Sequence, residues 1–98
     1  MSAIGRRVRA NLLAHQGDLK EAERLAREAV ELGARTDYLN GHAKAFTSLA
    51  EILELAGERE EAAAAMEQAL ALYERKGNLV MAERARERLA DLRNQVTS

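Results

Sequence analysis

Sliding the chain against itself by forty residues lays 11–35 (NLLAHQGDLKEAERLAREAVELGAR) over 51–75 (EILELAGEREEAAAAMEQALALYER). Thirteen positions agree at this one offset, among them Gly17/Gly57, Glu21/Glu61, Ala22/Ala62, Ala29/Ala69 and Leu32/Leu72. The glycine pair carries most weight, because alanine and leucine abound here while glycine occurs only 6 times. A period of this length marks a stack of similar units, each too small to bury its apolar face alone. The chain therefore folds by leaning one unit on the next.

Each unit reads as helix, tight turn, helix. Ala, Leu, Glu, Arg and Lys fill most of the 98 positions, and these are the strongest helix formers. Proline is absent and only 3 % of residues are aromatic, which leaves little to build strands. Gly17 and Gly57 each follow an apolar-periodic segment, where a left-handed residue past a helix end costs glycine no steric penalty. Asp18, with Glu21 three residues on, resembles a capping box. Glu58 and Glu61 repeat the negative charge at a helix start. Thr36 or Asp37 caps the next helix, and Lys76-Gly77-Asn78 closes the fourth and opens the fifth. The spacing predicts five helices, at about 2–15, 18–34, 38–56, 59–76 and 79–95. Their core stripes are Ala22, Leu25, Ala26, Ala29, Val30 and Leu32, then Ala62, Ala65, Met66, Ala69, Leu70 and Tyr73, then Ala82, Ala85, Leu89 and Leu92. Ala10 with Ala22, and Ala50 with Ala62, allow the two helices of each hairpin to approach closely. The domain expectation is one unit over 1–98, with repeats over about 1–36 and 37–77 and a half-repeat over about 78–98.

The residues that carry this pattern resemble the tetratricopeptide repeat. That motif has a small residue in its first helix, Gly at the turn, Ala five residues later and Ala seven further on. Ala10, Gly17, Ala22 and Ala29 fit it, as do Ala50, Gly57, Ala62 and Ala69. Two departures stand out: the period exceeds the usual ~34, and the closing proline is replaced by Ala34 and Glu74. In both respects the chain is similar to longer-period members such as kinesin-light-chain-type repeats and the C-terminal arrays of bacterial regulators. The resemblance implies an all-α, right-handed stack of antiparallel hairpins that holds a peptide or protein partner in a concave groove lined by the first helix of each pair. The groove-facing positions are then Arg7, Asn11, His15, Lys44, Ser48, Glu51, Arg84, Arg88 and Asp91.

Within that set, Arg7, Asn11, Arg84 and Arg88 fall where clamp-bearing members of the family hold a terminal carboxylate. Guanidinium forks suit that ligand because they bind it in bidentate fashion. The same residues also fit a solvated polar face, in which opposite charges pair at helical spacing. Ile4, Val8 and Leu55 fit either inter-repeat core or a surface that receives an amphipathic helix. Leu79, Val80 and Val96 offer a route to a homodimer through the terminal helices, and a self-assembling repeat, natural or engineered, is the alternative to an adaptor.

Other chemistries find no foothold. Without cysteine there is no disulfide, thiolate or zinc–cysteine site. His15 and His42 lie far apart on different helices, and no phosphate-binding loop or nucleophile elbow occurs. A net charge of −1 gives no basic bias toward nucleic acid, despite Arg6, Arg7 and Arg9. No apolar run reaches the ~20 residues that a membrane span requires, and the start lacks a signal-peptide core. The expectation is a non-enzymatic cytoplasmic binding module that needs no cofactor or metal. Alanine at the hairpin seam is its most sensitive point. Ala22→Leu or Ala62→Leu should overpack that seam and cost about 1–3 kcal/mol, read as a fall in the thermal midpoint.

Overall fold

Three joints of nearly identical geometry organise the chain. At the first, Gly17 has φ +88°, the Asp18 amide donates to the Leu13 carbonyl, and the Gly17 amide donates to that of Ala14. At the second, Gly57 has φ +83°, with Glu58 donating to Leu53 and Gly57 to Glu54. This paired pattern is the Schellman closure, which satisfies the last carbonyls of a helix while turning the chain back. Asn78 and Gly77 repeat it on Tyr73 and Glu74. Only glycine adopts the left-handed turn without strain, so the sequence signal and the geometry coincide.

A computed structural model describes residues 3–35 and 39–97, with side chains over 4–35 and 39–94. Five helices result: α1 (Ala3–His15), α2 (Leu19–Gly33), α3 (Leu39–Leu55), α4 (Arg59–Lys76) and α5 (Leu79–Thr97). Expected bounds hold to within two residues; the expected caps Thr36 and Asp37 lie outside the described residues. Asp18 caps α2 by accepting from the Glu21 amide at 3.4 Å, and Asn78 caps α5 by accepting from the Met81 amide at 3.3 Å. The reciprocal half of the capping box does not form. The Asp18 amide is already engaged by Leu13, and the Glu21 carboxylate turns to Arg24 instead.

Helices α1 and α2 form one antiparallel hairpin and α3 and α4 the next, with α5 packed on α4. The second hairpin leans on the first through α3, which touches both α1 and α2. The molecule is a slab of 38 × 33 × 17 Å, two helices thick. Ala10, Ala22, Ala50 and Ala62 are all excluded from solvent, as the close-approach argument requires. Larger side chains fill the second hairpin and its contact with α5: Ile52, Leu53 and Tyr73, with Leu92 of α5, are the bulkiest fully buried groups. Val30, Leu32 and Leu70 sit only half-buried at the edge, whereas Leu72 joins the core.

Gly33 is needed for space and not for backbone freedom. A Cβ there would lie 3.0 Å from His42 Cδ2 and 3.2 Å from His42 Cα, so α2 and α3 meet over a missing side chain. Gly33→Ala must push the two helices apart, outweighing the propensity gain of up to ~1 kcal/mol that alanine brings within a helix. A net loss of about 1 kcal/mol should lower the thermal midpoint by roughly 4–8 °C.

Candidate functional site

The first helices α1, α3 and α5 lie side by side over α2 and α4, yet their two intervals differ. α1 packs directly on α3, whereas α3 and α5 make almost no direct approach. The register of forty residues supplies the reason. Ala26 and Gly33 on α2 correspond by sequence to Met66 and Tyr73 on α4, and Gly41 and Ser48 on α3 correspond to Met81 and Arg88 on α5. Small residues let the first interval close; the larger set wedges the second open.

What opens is a cleft of about 280 Å³. Met66 and Tyr73 form its floor, Thr47 and Glu51 of α3 one wall, and Met81, Arg84, Ala85 and Arg88 of α5 the other. Its interior is apolar and its rim is charged, a combination suited to a side chain that carries a polar neighbour. Arg88 forms an ion pair with Glu54 and so ties α5 to α3 across the rim. Arg84 makes no ion pair among the described residues and keeps its guanidinium fork free. The Thr47 hydroxyl donates to the Ala43 carbonyl at 3.0 Å. Burial raises the Glu51 carboxyl above its usual value, with Arg88 and His15 pulling down and Glu54 pushing up. The Tyr73 hydroxyl is buried and has no hydrogen-bond partner among the described residues.

The residues expected on the groove divide between the two intervals. Glu51, Arg84 and Arg88 line the open cleft, and His15 is exposed and close enough to Glu51 to act on its charge. Arg7 and Asn11 are half-buried on α1, Lys44 is exposed on α3, and none of the three lines the cleft. Ser48 is 5 % exposed and presents no surface to a partner. It lies at the edge of the stripe on α3 that runs through Lys44, Thr47 and Glu51, where a short side chain is covered by neighbours. The four positions of the expected carboxylate clamp are thus split, two on α1 and two in the cleft. Asp91 is exposed and does not line the cleft. Ile4, Val8 and Leu55 are exposed, which overturns the inter-repeat-core reading. Thr47, Met66, Tyr73 and Met81 belong to the cleft although the helical pattern marks them as core or leaves them unmarked. The mismatch of Tyr73 with Gly33 at the forty-residue offset is the signal that points to them.

A second hollow of about 250 Å³ lies on the other face, between α2 and α4, and Arg27 and Glu61 approach to 3.9 Å across it. Among the described residues no cluster of three His, Asp or Glu side chains is placed to hold a metal ion, and no helix is long and apolar enough to cross a membrane.

A family model described as tetratricopeptide repeat matches residues 3–75. The chain belongs to the tetratricopeptide-repeat family. No curated protein shows a significant match to it. Tetratricopeptide repeats generally mediate protein–protein interaction, and the chain shares their all-α hairpin architecture.

Two groups give the stability of this repeat a pH dependence of opposite sign. His42 is half-buried against Phe46, with ring centroids 5.0 Å apart, and burial lowers its pKa from the usual 6.5. As pH falls below 6.5 the unfolded chain takes up that proton first, so stability declines until the folded pKa is passed. Glu51 is raised above 4.5, so the folded chain binds its proton first and gains stability as pH falls through the raised value. Urea midpoints measured from pH 7.5 down to 4 should therefore decline less in His42→Gln than in the wild type. They should decline more in Glu51→Gln.

Proposed function

We propose that this repeat is an adaptor, not an enzyme, and that it receives an extended segment of a partner protein in the cleft between α3 and α5. One observation carries the reading: Tyr73 and Met66 hold open an interval that Gly33 and Ala26 leave closed one repeat earlier. The apolar floor accepts a side chain from the partner. Arg84 is the first donor that a carboxylate or carbonyl of the partner meets, because Arg88 is already engaged by Glu54. Of the groove positions considered from sequence, Arg84 and Arg88 serve this site, while Arg7, Asn11, Lys44 and His15 extend the same face toward α1.

A second reading, homodimerisation through the terminal helices, draws on the exposure of Leu79 and Val80 at the start of α5. Sedimentation across a concentration series separates the two, since an adaptor stays monomeric while a dimer forms by mass action.

Peptides selected from a displayed random library against the wild-type chain provide the direct test. Their affinity should fall at least tenfold, about 1.4 kcal/mol, in both Arg84→Glu and Met81→Glu. Circular dichroism should show both variants folded. Selected peptides that bind both variants as tightly as the wild type would place the docking site elsewhere.

A further inference from the structure

The two helices that bound the open cleft carry the same order of charge at the same steps. Lys44 on α3 corresponds by sequence to Arg84 on α5, and Glu51 corresponds to Asp91. In each helix the anion follows the cation by seven residues, which is two turns, so both lie on one face about 10 Å apart. The first unit has Ile4 and Asn11 at these two steps, and the charged pairs are thus confined to α3 and α5. All four charged side chains are exposed, and none of them makes an ion pair among the described residues.

This order of charge polarises the cleft along its length. Helix α4 runs back between α3 and α5, which therefore point the same way. Arg84 lines the cleft toward the helix starts and Glu51 toward the helix ends, over the apolar floor of Met66 and Tyr73. Arg88 is neutralised by Glu54, and Glu87, between Arg84 and Asp91 on α5, is exposed but does not line the cleft. A ligand of one sign is poorly matched to such a site. Two carboxylates that span it set one against Arg84 and the other against Glu51, and two cations meet the converse clash.

We infer that the α3–α5 cleft selects an extended partner segment in which a carboxylate, a large apolar residue and a cation occupy alternate positions. The inference rests on the cleft being the docking site and names the pattern that it reads. Alternate residues of an extended chain point to one side at about 3.3 Å per residue, so the two charges stand about 13 Å apart. The flexible stems of Arg84 and of the partner's cation take up the difference from two helical turns. The carboxylate accepts from Arg84, the apolar side chain lies on Met66 and Tyr73, and the cation meets Glu51. Lys44 and Asp91, outside the cleft, repeat the same polarity and orient the segment as it approaches.

The probes are four synthetic nonapeptides, acetylated and amidated, with one central leucine among serines and a charged residue two places to either side. Two carry aspartate and lysine, in the two possible orders; the third carries two aspartates and the fourth two lysines. Fluorescence anisotropy should show one of the mixed peptides binding at least tenfold more tightly than both single-sign peptides. Glu51→Lys should transfer the preference to the aspartate peptide and Arg84→Glu to the lysine peptide, with both variants keeping the wild-type circular dichroism. Equal affinities that Met81→Glu nevertheless weakens overturn the charge pattern and leave the cleft as the docking site. Preference for a single-sign peptide in the wild type, or a preference that neither charge reversal moves, overturns it as well. Affinities that Met81→Glu leaves unchanged, or no binding by any of the four, overturn the inference together with the reading on which it rests.

Discussion

The distance between neighbouring first helices is set by excluded volume on the helix beneath them. α2 offers Ala26 and Gly33 to the interval above it, and α1 and α3 settle into contact; α4 offers Met66 and Tyr73, and α3 and α5 stay apart. Packed interiors behave as solids in this respect, because a ring cannot be absorbed where a hydrogen stood. Both intervals keep the same hairpin joints and the same alanine seams. The scaffold is conserved between the halves, and the difference between them resides in a few side chains.

Most of that scaffold was legible from residues alone, because each feature had a local cause. Glycine marks the joints through its left-handed backbone, alanine marks the seams through its size, and the apolar stripes mark the buried faces through helical spacing. The site was less legible. Ser48 and Thr47 are neighbours in the chain, but only a three-dimensional stack decides which one faces the open side. Arg88 reads as a free cation until its pairing with Glu54 is seen, and that pairing joins two helices 34 residues apart in sequence. Periodicity shows that Val8 and Leu12 share a stripe with Ile4, yet it does not show whether anything lies upon them.

Electrostatics plays a secondary part in holding the stack. Arg24 with Glu21 and Glu28, and Arg27 with Glu23, are pairs on the solvated face of α2, where water screens them and they add little. The pairs that join helices, Arg6 to Glu28, Arg88 to Glu54 and Arg93 to Glu67, are also solvated and add orientation more than energy. Stability therefore rests on burial of a thin, alanine-rich interior, which is why single changes of volume at Ala22 or Gly33 weigh heavily.

The three Schellman joints give the array a further property. Because each bend is closed by backbone groups and one glycine, its shape does not depend on which residues the adjoining rods carry toward their neighbours. Bulk can then be redistributed among the rods by single substitutions without bending the frame. In an array of this kind a binding seam is free to migrate along the stack during evolution, opening where an aromatic ring replaces a glycine and sealing where the exchange runs backward.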